Sequence, residues 1–147
     1  MSGVIVLIAP LVAFLAITWV WLIVAAPLLP AAPAGILYAL GSRICHQISE
    51  RSFHLGVAQL PVCARCLDIY AGFAIGLAVA VSATSRAGSR SQTPWGLTPR
   101  AGVAIGALPT AITVIMEWVG LWHTSNLARA IAGAPLGVAV ALVVMAG

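Results

Sequence analysis

Apolar residues run in four long blocks, at about residues 4–26, 62–83, 100–121 and 126–147, separated by short polar breaks. Each block is compatible with the ~20 residues that an α-helix needs to cross the hydrocarbon of a bilayer. The first stops at Pro27, Pro30 and Pro33, and the second starts just after Pro61. Residues 82–99, rich in Ser, Gly and Arg, read as a polar turn. Residues 34–44 are apolar but too short to span, so they predict a short interfacial or re-entrant helix that delivers Cys45. The pattern therefore predicts an all-α protein: an integral membrane four-helix bundle, one transmembrane domain over residues 1–147, with a Cys-His loop at about 45–66.

A cleaved signal peptide is the competing reading of residues 1–34, and Ala32-Pro33-Ala34 resembles a cleavage site. The start of the chain carries no Lys or Arg, and the apolar run exceeds the roughly 7–15 residues of a signal core. A retained helix is expected.

Composition sharpens the class. The 147 residues are 62% hydrophobic and 7% charged, with a mean hydropathy of +1.10; soluble folds are about half apolar. There is no lysine, and the only acids are Glu50, Asp68 and Glu117. A net charge of +4 without a basic stripe interleaved with aromatics gives no nucleic-acid surface. The partner that the pattern implies is the lipid bilayer.

Four antiparallel crossings put the loop after the first block and the loop after the third on one face. Trp19, Trp21, Tyr38, Trp118 and Trp122 all fall near that face, as an interfacial aromatic belt does. The Cys-His loop is thereby expected beside Glu117, His123, Asn126 and Arg129. Arg86, Arg90 and Arg100 mark the opposite loop, against Arg43, Arg51 and Arg65 beside the cysteines. The positive-inside count is close to even. The expectation is a multi-pass protein with both termini in the cytoplasm and the Cys-His loop outside.

Metal-grade ligands concentrate in that loop. Cys45-His46 is followed after sixteen residues by Cys63-Ala64-Arg65-Cys66, a spacing that approaches the two-knuckle zinc pattern. Adjacent ligands replace the usual spaced pair in the first knuckle, so His46 either ligates or yields to His54 or His123 as the fourth ligand. Cys63 and Cys66 at a helix start, with Arg65 beside them, are biased toward thiolate. Three readings stand together: a metal site, with zinc suspected and iron possible; a Cys63–Cys66 thiol/disulfide pair; and small buried cysteines. Haem is disfavoured because Leu67, not His, follows Cys66. A conventional iron–sulfur cluster wants four thiolates, and the chain has three cysteines. No dinucleotide fingerprint exists.

A second constellation is Glu117, Asn126 and Arg129, which is either an interhelical ion pair or a charged pocket for an anionic lipid, a quinone or a partner's headgroup. Arg51, Arg65, Asp68 and Tyr70 are expected to support the loop, with Asp68 pairing to Arg65 at helical spacing. Stripes of small residues (Gly72, Gly76 and Ala80; Gly102 and Gly106; Gly133, Gly137 and Ala141) predict close helix packing in lipid.

The run from Cys45 to Gly76, CHQISERSFHLGVAQLPVCARCLDIYAGFAIG, resembles a bacterial multi-pass membrane family of unknown function. Its hallmark is CHQ-x-PERSF followed by QLPVCARC-x-GIY-x-GF. Ser125, Asn126, Arg129, Gly133 and Gly137 resemble that family's second motif, and the likeness covers roughly residues 35–140. Ser49 stands where the family has proline, Asp68 where it has glycine, and Glu117 where relatives tend to carry aspartate. The resemblance implies membrane location and a shared Cys/His site. The residues themselves favour a non-catalytic accessory subunit docking on other membrane protein subunits. The alternative is a membrane oxidoreductase or metal-handling protein using Cys63 and Cys66, with a quinone or lipid pocket near Glu117 and Arg129.

Overall fold

Prolines and polar breaks set the helix ends. The computed structural model describes residues 3–87 and 98–146. Helix α1 spans Gly3–Ala25 and runs into a 3-10 turn, Ala26–Leu28, that contains Pro27; α2 spans Ala31–Ile44, with Pro30 as its N-cap. Proline serves here because it lacks the N–H that the first helical turn leaves unpaired. A 3-10 turn, Ser49–Arg51, leads into strands β1, Ser52–Leu55, and β2, Ala58–Cys63. Helices α3 (Ala64–Ala87), α4 (Pro99–Trp118) and α5 (Asn126–Ala146) complete the order. Thr98 caps α4 by accepting from the Ala101 N–H at 3.4 Å.

Four helices are long and apolar enough to cross a membrane, over Leu7–Leu28, Ala64–Ser82, Arg100–Trp118 and Asn126–Met145. The protein is a helical membrane protein whose outward side chains meet lipid, Trp118 being 91% exposed. Helix α3 continues into the stretch expected to be a turn and ends at Ala87. Residues 88–97, Arg90 among them, lie outside the described residues.

The four helices form a row rather than a ring. Helices α3 and α5 are the central pair, with α1 against α3 and α4 against α5. Small residues allow this: a Cβ added at Gly137 would collide with the Ile69 carbonyl, and one at Gly72 with the Ala134 carbonyl. Gly106 brings α4 onto α5, whereas Gly102 faces open space. The Thr110 hydroxyl ties the same pair by donating to the Ala132 carbonyl at 2.7 Å. One apolar cluster (Ala9, Ala13, Leu77, Ala141, Met145) joins α1, α3 and α5. A second, of Ile23, Cys45 and Val62, lies beneath the cysteines.

The 45–66 segment, expected as a loop, contains an antiparallel hairpin. Leu55 pairs with Ala58 and Ser52 with Cys63, with a bulge between Ser52 and His54. Gly56, at φ +62°, opens the two-residue connection, a conformation that favours glycine. A two-stranded ribbon is marginal alone; this one is held by α2 on one side and α5 on the other.

Candidate metal centre

Cys45 is placed by the end of α2. Its backbone is extended (φ −145°, ψ 142°), and its N–H donates to the Gly41 carbonyl at 2.9 Å. Gln47 then adopts φ +52°, turning the chain so that its amide can act as a staple. That amide donates to the Tyr38 carbonyl at 2.8 Å and to the Pro61 carbonyl at 2.7 Å, joining α2 to β2. Gln59 answers with its own amide, donating to the Gln47 carbonyl at 2.7 Å and to Ser52 Oγ at 3.3 Å. The Tyr38 hydroxyl donates to the Gln59 carbonyl. Gly41 has no room for a side chain against the Pro61 carbonyl.

The outcome is a three-thiol cluster. Cys63 ends β2 and Cys66 lies in the first turn of α3, so the turn from strand to helix aims both sulfurs toward Cys45. All three sulfurs lie within 4.8 Å of one another, and the Cys63 N–H donates to Cys45 Sγ at 3.2 Å. Metal–thiolate bonds near 2.3 Å place sulfurs about 4 Å apart, so the trio needs little closure to hold an ion. Cys45 is buried, Cys63 and Cys66 are half-buried, and all three are free. The Cys63 thiol is pulled down to about 5, first by a hydrogen bond from the Cys66 thiol, then by backbone N–H groups of the helix start, against the opposing effect of burial. Cys63 is thereby biased toward thiolate, the form that metals bind. Trp19 and Tyr70 close the apolar side in an edge-to-face contact, ring centres 6.4 Å apart.

The histidines do not join the trio. Among the described residues, the group able to hold a metal is Cys45, Cys63 and Cys66. The extended backbone at Cys45 alternates side chains, which turns Cys45 inward and leaves His46 exposed at the rim. His54 is exposed on β1 and meets Ser49 Oγ at 3.2 Å. His123 is exposed on the α4–α5 turn.

Beside the trio lies a charge network. Arg129 Nε donates to Glu117 Oε1 at 2.7 Å, and both side chains are about nine-tenths buried. Arg65 Nη2 lies 3.6 Å from the other Glu117 oxygen and donates to Thr113 Oγ1 at 3.3 Å. The Thr124 hydroxyl donates to Glu117 as well. Arg129 Nη1 reaches Asn126 Oδ1 at 2.8 Å and the Glu50 carbonyl at 3.4 Å, and Asn126 Nδ2 donates to the Ser52 carbonyl at 2.9 Å. The turn after α4 and the start of α5 are thereby fastened to the hairpin.

One sequence expectation is corrected here. Arg65 does not pair with Asp68; its guanidinium crosses to α4, where Glu117 and Thr113 offer a carboxylate and a hydroxyl together. Asp68 has no ion pair among the described residues and is half-buried on α3. Sequence reasoning also gave no role to Gln47, Gln59, Ser52, Thr113 or Thr124. The available signal was their polarity within apolar runs, where a buried amide or hydroxyl needs a partner.

Cys45, Cys63, Cys66, Arg51, Arg65 and Arg129 line a cavity of about 170 Å³, with His46 also at its wall. The trio can accept a metal from this side.

Uncharacterized protein MJ1492 of Methanocaldococcus jannaschii is 30% identical over 109 residues, covering 74% of this chain and 66% of that protein. The chain thus spans about two thirds of the length of this relative. No solved structure matches the chain. The family described as predicted membrane protein (DUF2085) matches residues 45–143, which contain the cysteine trio, the hairpin and the Glu117–Arg129 network, and the chain belongs to that family.

Proposed function

We propose that this protein is a membrane metal-binding protein in which Cys45, Cys63 and Cys66 hold one thiophilic divalent ion, zinc first and iron second. The observation that carries the reading is the set of three sulfurs within 4.8 Å on the wall of a cavity. Structural zinc sites are closed by a fourth protein ligand, whereas sites that exchange ligands keep one position open. With His46 at the rim and no fourth ligand in the group, the arrangement favours metal handling or ligand exchange over a closed knuckle. The role of accessory subunit docking on other membrane subunits is the second reading. It is supported by the lack of a fourth cysteine or a dinucleotide fingerprint, which an autonomous redox enzyme would be expected to carry. With the arginine count near even, we put the cysteine face outside a bacterial inner membrane because the opposite loop carries Arg86, Arg90 and Arg100 with no acid.

The test is metal content by mass spectrometry on protein purified in detergent, with thiols counted before and after chelation. One zinc or iron per chain is expected, with all three thiols protected until the chelator is added. Cys45→Ser should release the ion while leaving helix content unchanged. Three reactive thiols with no bound metal, in protein purified without chelators, would overturn the reading.

A further inference from the structure

We propose that the cavity beside the three cysteines binds a phosphate-type oxyanion through Arg51, Arg65 and Arg129. Charge is the first reason. Three guanidinium groups line a space of about 170 Å³, and none of its lining residues is a carboxylate. Glu117, standing behind the wall, is shared by Arg65 and Arg129, and Arg51 has no ion pair among the described residues. Even with a divalent ion on three thiolates, which leaves one negative charge there, the three arginines outweigh the cluster and Glu117 by one. Two largely buried guanidiniums sharing one carboxylate leave positive charge undercompensated at the cavity wall, and an anion relieves it.

Hydrogen-bonding capacity is the second. Arg65 Nη2 is spent on Thr113 and Glu117, while Arg65 Nε is buried with no hydrogen-bond partner. Buried donors are seldom left unmade, so Arg65, which lines the cavity, keeps hydrogen-bonding capacity that its protein partners do not use. Arg129 is already committed to Glu117, Asn126 and the Glu50 carbonyl, and so is held rigidly as a positioned charge. Arg51 is exposed at the mouth and free to close over a ligand.

Shape is the third. The cavity is far smaller than the ~300–1,000 Å³ of drug-sized pockets but several times the ~30 Å³ share of one water. It suits a compact anion. Guanidinium forks match tetrahedral oxyanions by paired N–H···O contacts, and arginine is preferred to lysine for that purpose; the chain has no lysine at all. The ligand is either free phosphate or the phosphomonoester headgroup of a lipid. The site does not need the metal, so it stands or falls separately from the metal reading.

Binding should be measured by calorimetry on the full chain in detergent, with inorganic phosphate as one probe and mixed micelles containing phosphatidic acid as the other. Phosphatidylcholine micelles serve as the blank, and metal content is determined on the same samples. Saturable binding of inorganic phosphate identifies the free anion; binding confined to phosphatidic acid identifies the headgroup. Either should weaken ~10-fold in Arg51→Gln, the loss expected for one charge-assisted hydrogen bond. Arg51 is exposed, so this variant keeps its fold, and its metal content should equal that of the parent. Arg43→Gln is the control, since Arg43 is exposed on the same face but does not line the cavity. No saturable binding of either probe, or equal losses in Arg43→Gln and Arg51→Gln, would overturn the site whatever the metal content.

Discussion

Glu117 shows how much one residue carries. In sequence it is one acid in an otherwise apolar block, and pairing with Arg129 follows from the antiparallel turn between them. In the structure it accepts from Arg129 and Thr124 and faces the Arg65 guanidinium at 3.6 Å, so it joins α3, α4 and α5 at a single carboxylate. Glu117→Gln keeps the shape but leaves two partly buried guanidiniums without a counter-charge. Removing one partner of a buried pair costs ~3–5 kcal/mol, and the lower end is expected here because Arg65 retains Thr113. Thr124→Val should cost less, ~1.5 kcal/mol, the low end for a hydrogen bond to a charged acceptor. Unfolding followed by circular dichroism in detergent ranks the two; a Glu117→Gln protein no less stable than Thr124→Val would show that the network is dispensable. Exchanging the charges of 117 and 129 is not neutral either, because it sets a guanidinium at position 117 against Arg65.

At the scale of elements, the register between α2 and β2 decides whether three cysteines become one site. Cys45 is eighteen residues from Cys63 along the chain, and nothing local brings them together. The contact depends on Gly41 passing under the Pro61 carbonyl and on Gln47 stapling the two elements. Gly41→Ala should therefore push α2 off the hairpin and abolish stoichiometric metal binding with little loss of helix. Gly35→Ala, six residues earlier on the same helix, where a Cβ meets nothing within 4 Å, should bind as the parent does. Metal analysis of the two proteins checks this, and an unchanged Gly41→Ala would show that α2 can move without moving Cys45. The same dependence explains what the sequence made legible. The spanning helices follow from apolar runs longer than ~17 residues, a signal that needs no tertiary information. The cysteines were legible as a group because few residue types do their chemistry. The hairpin was not, since a two-stranded ribbon has weak local preference and is decided by what packs on it. Gly56 followed by Val57, the two-residue connection with glycine first, was the local hint. Arg65 was assigned to its nearest acid in sequence, whereas packing of α3 beside α4 supplied a better-placed one.

The whole molecule is a polarised object, with an apolar row of helices below and one built face above. Asn126 bonding the Ser52 carbonyl and Arg129 reaching the Glu50 carbonyl place the turn after α4 against the segment between α2 and α3. Since α4 is long enough to cross the hydrocarbon, its first residues must emerge on the other side. Three added cysteines, each read against the parent's own three thiols as background, test this: Val57→Cys at the hairpin tip, His123→Cys in the α4–α5 turn, and Thr98→Cys at the start of α4, all exposed positions. A bulky membrane-impermeant maleimide added to intact cells should label 57 and 123 together and spare 98, or label 98 and spare the other two. The second pattern would put the cysteine face inside but keep the architecture. Labelling of 98 together with 123 would break it, because α4 could not then span. The row would have to lie along the membrane surface, and the shared face that gathers three cysteines, three arginines and Glu117 would lose its physical basis.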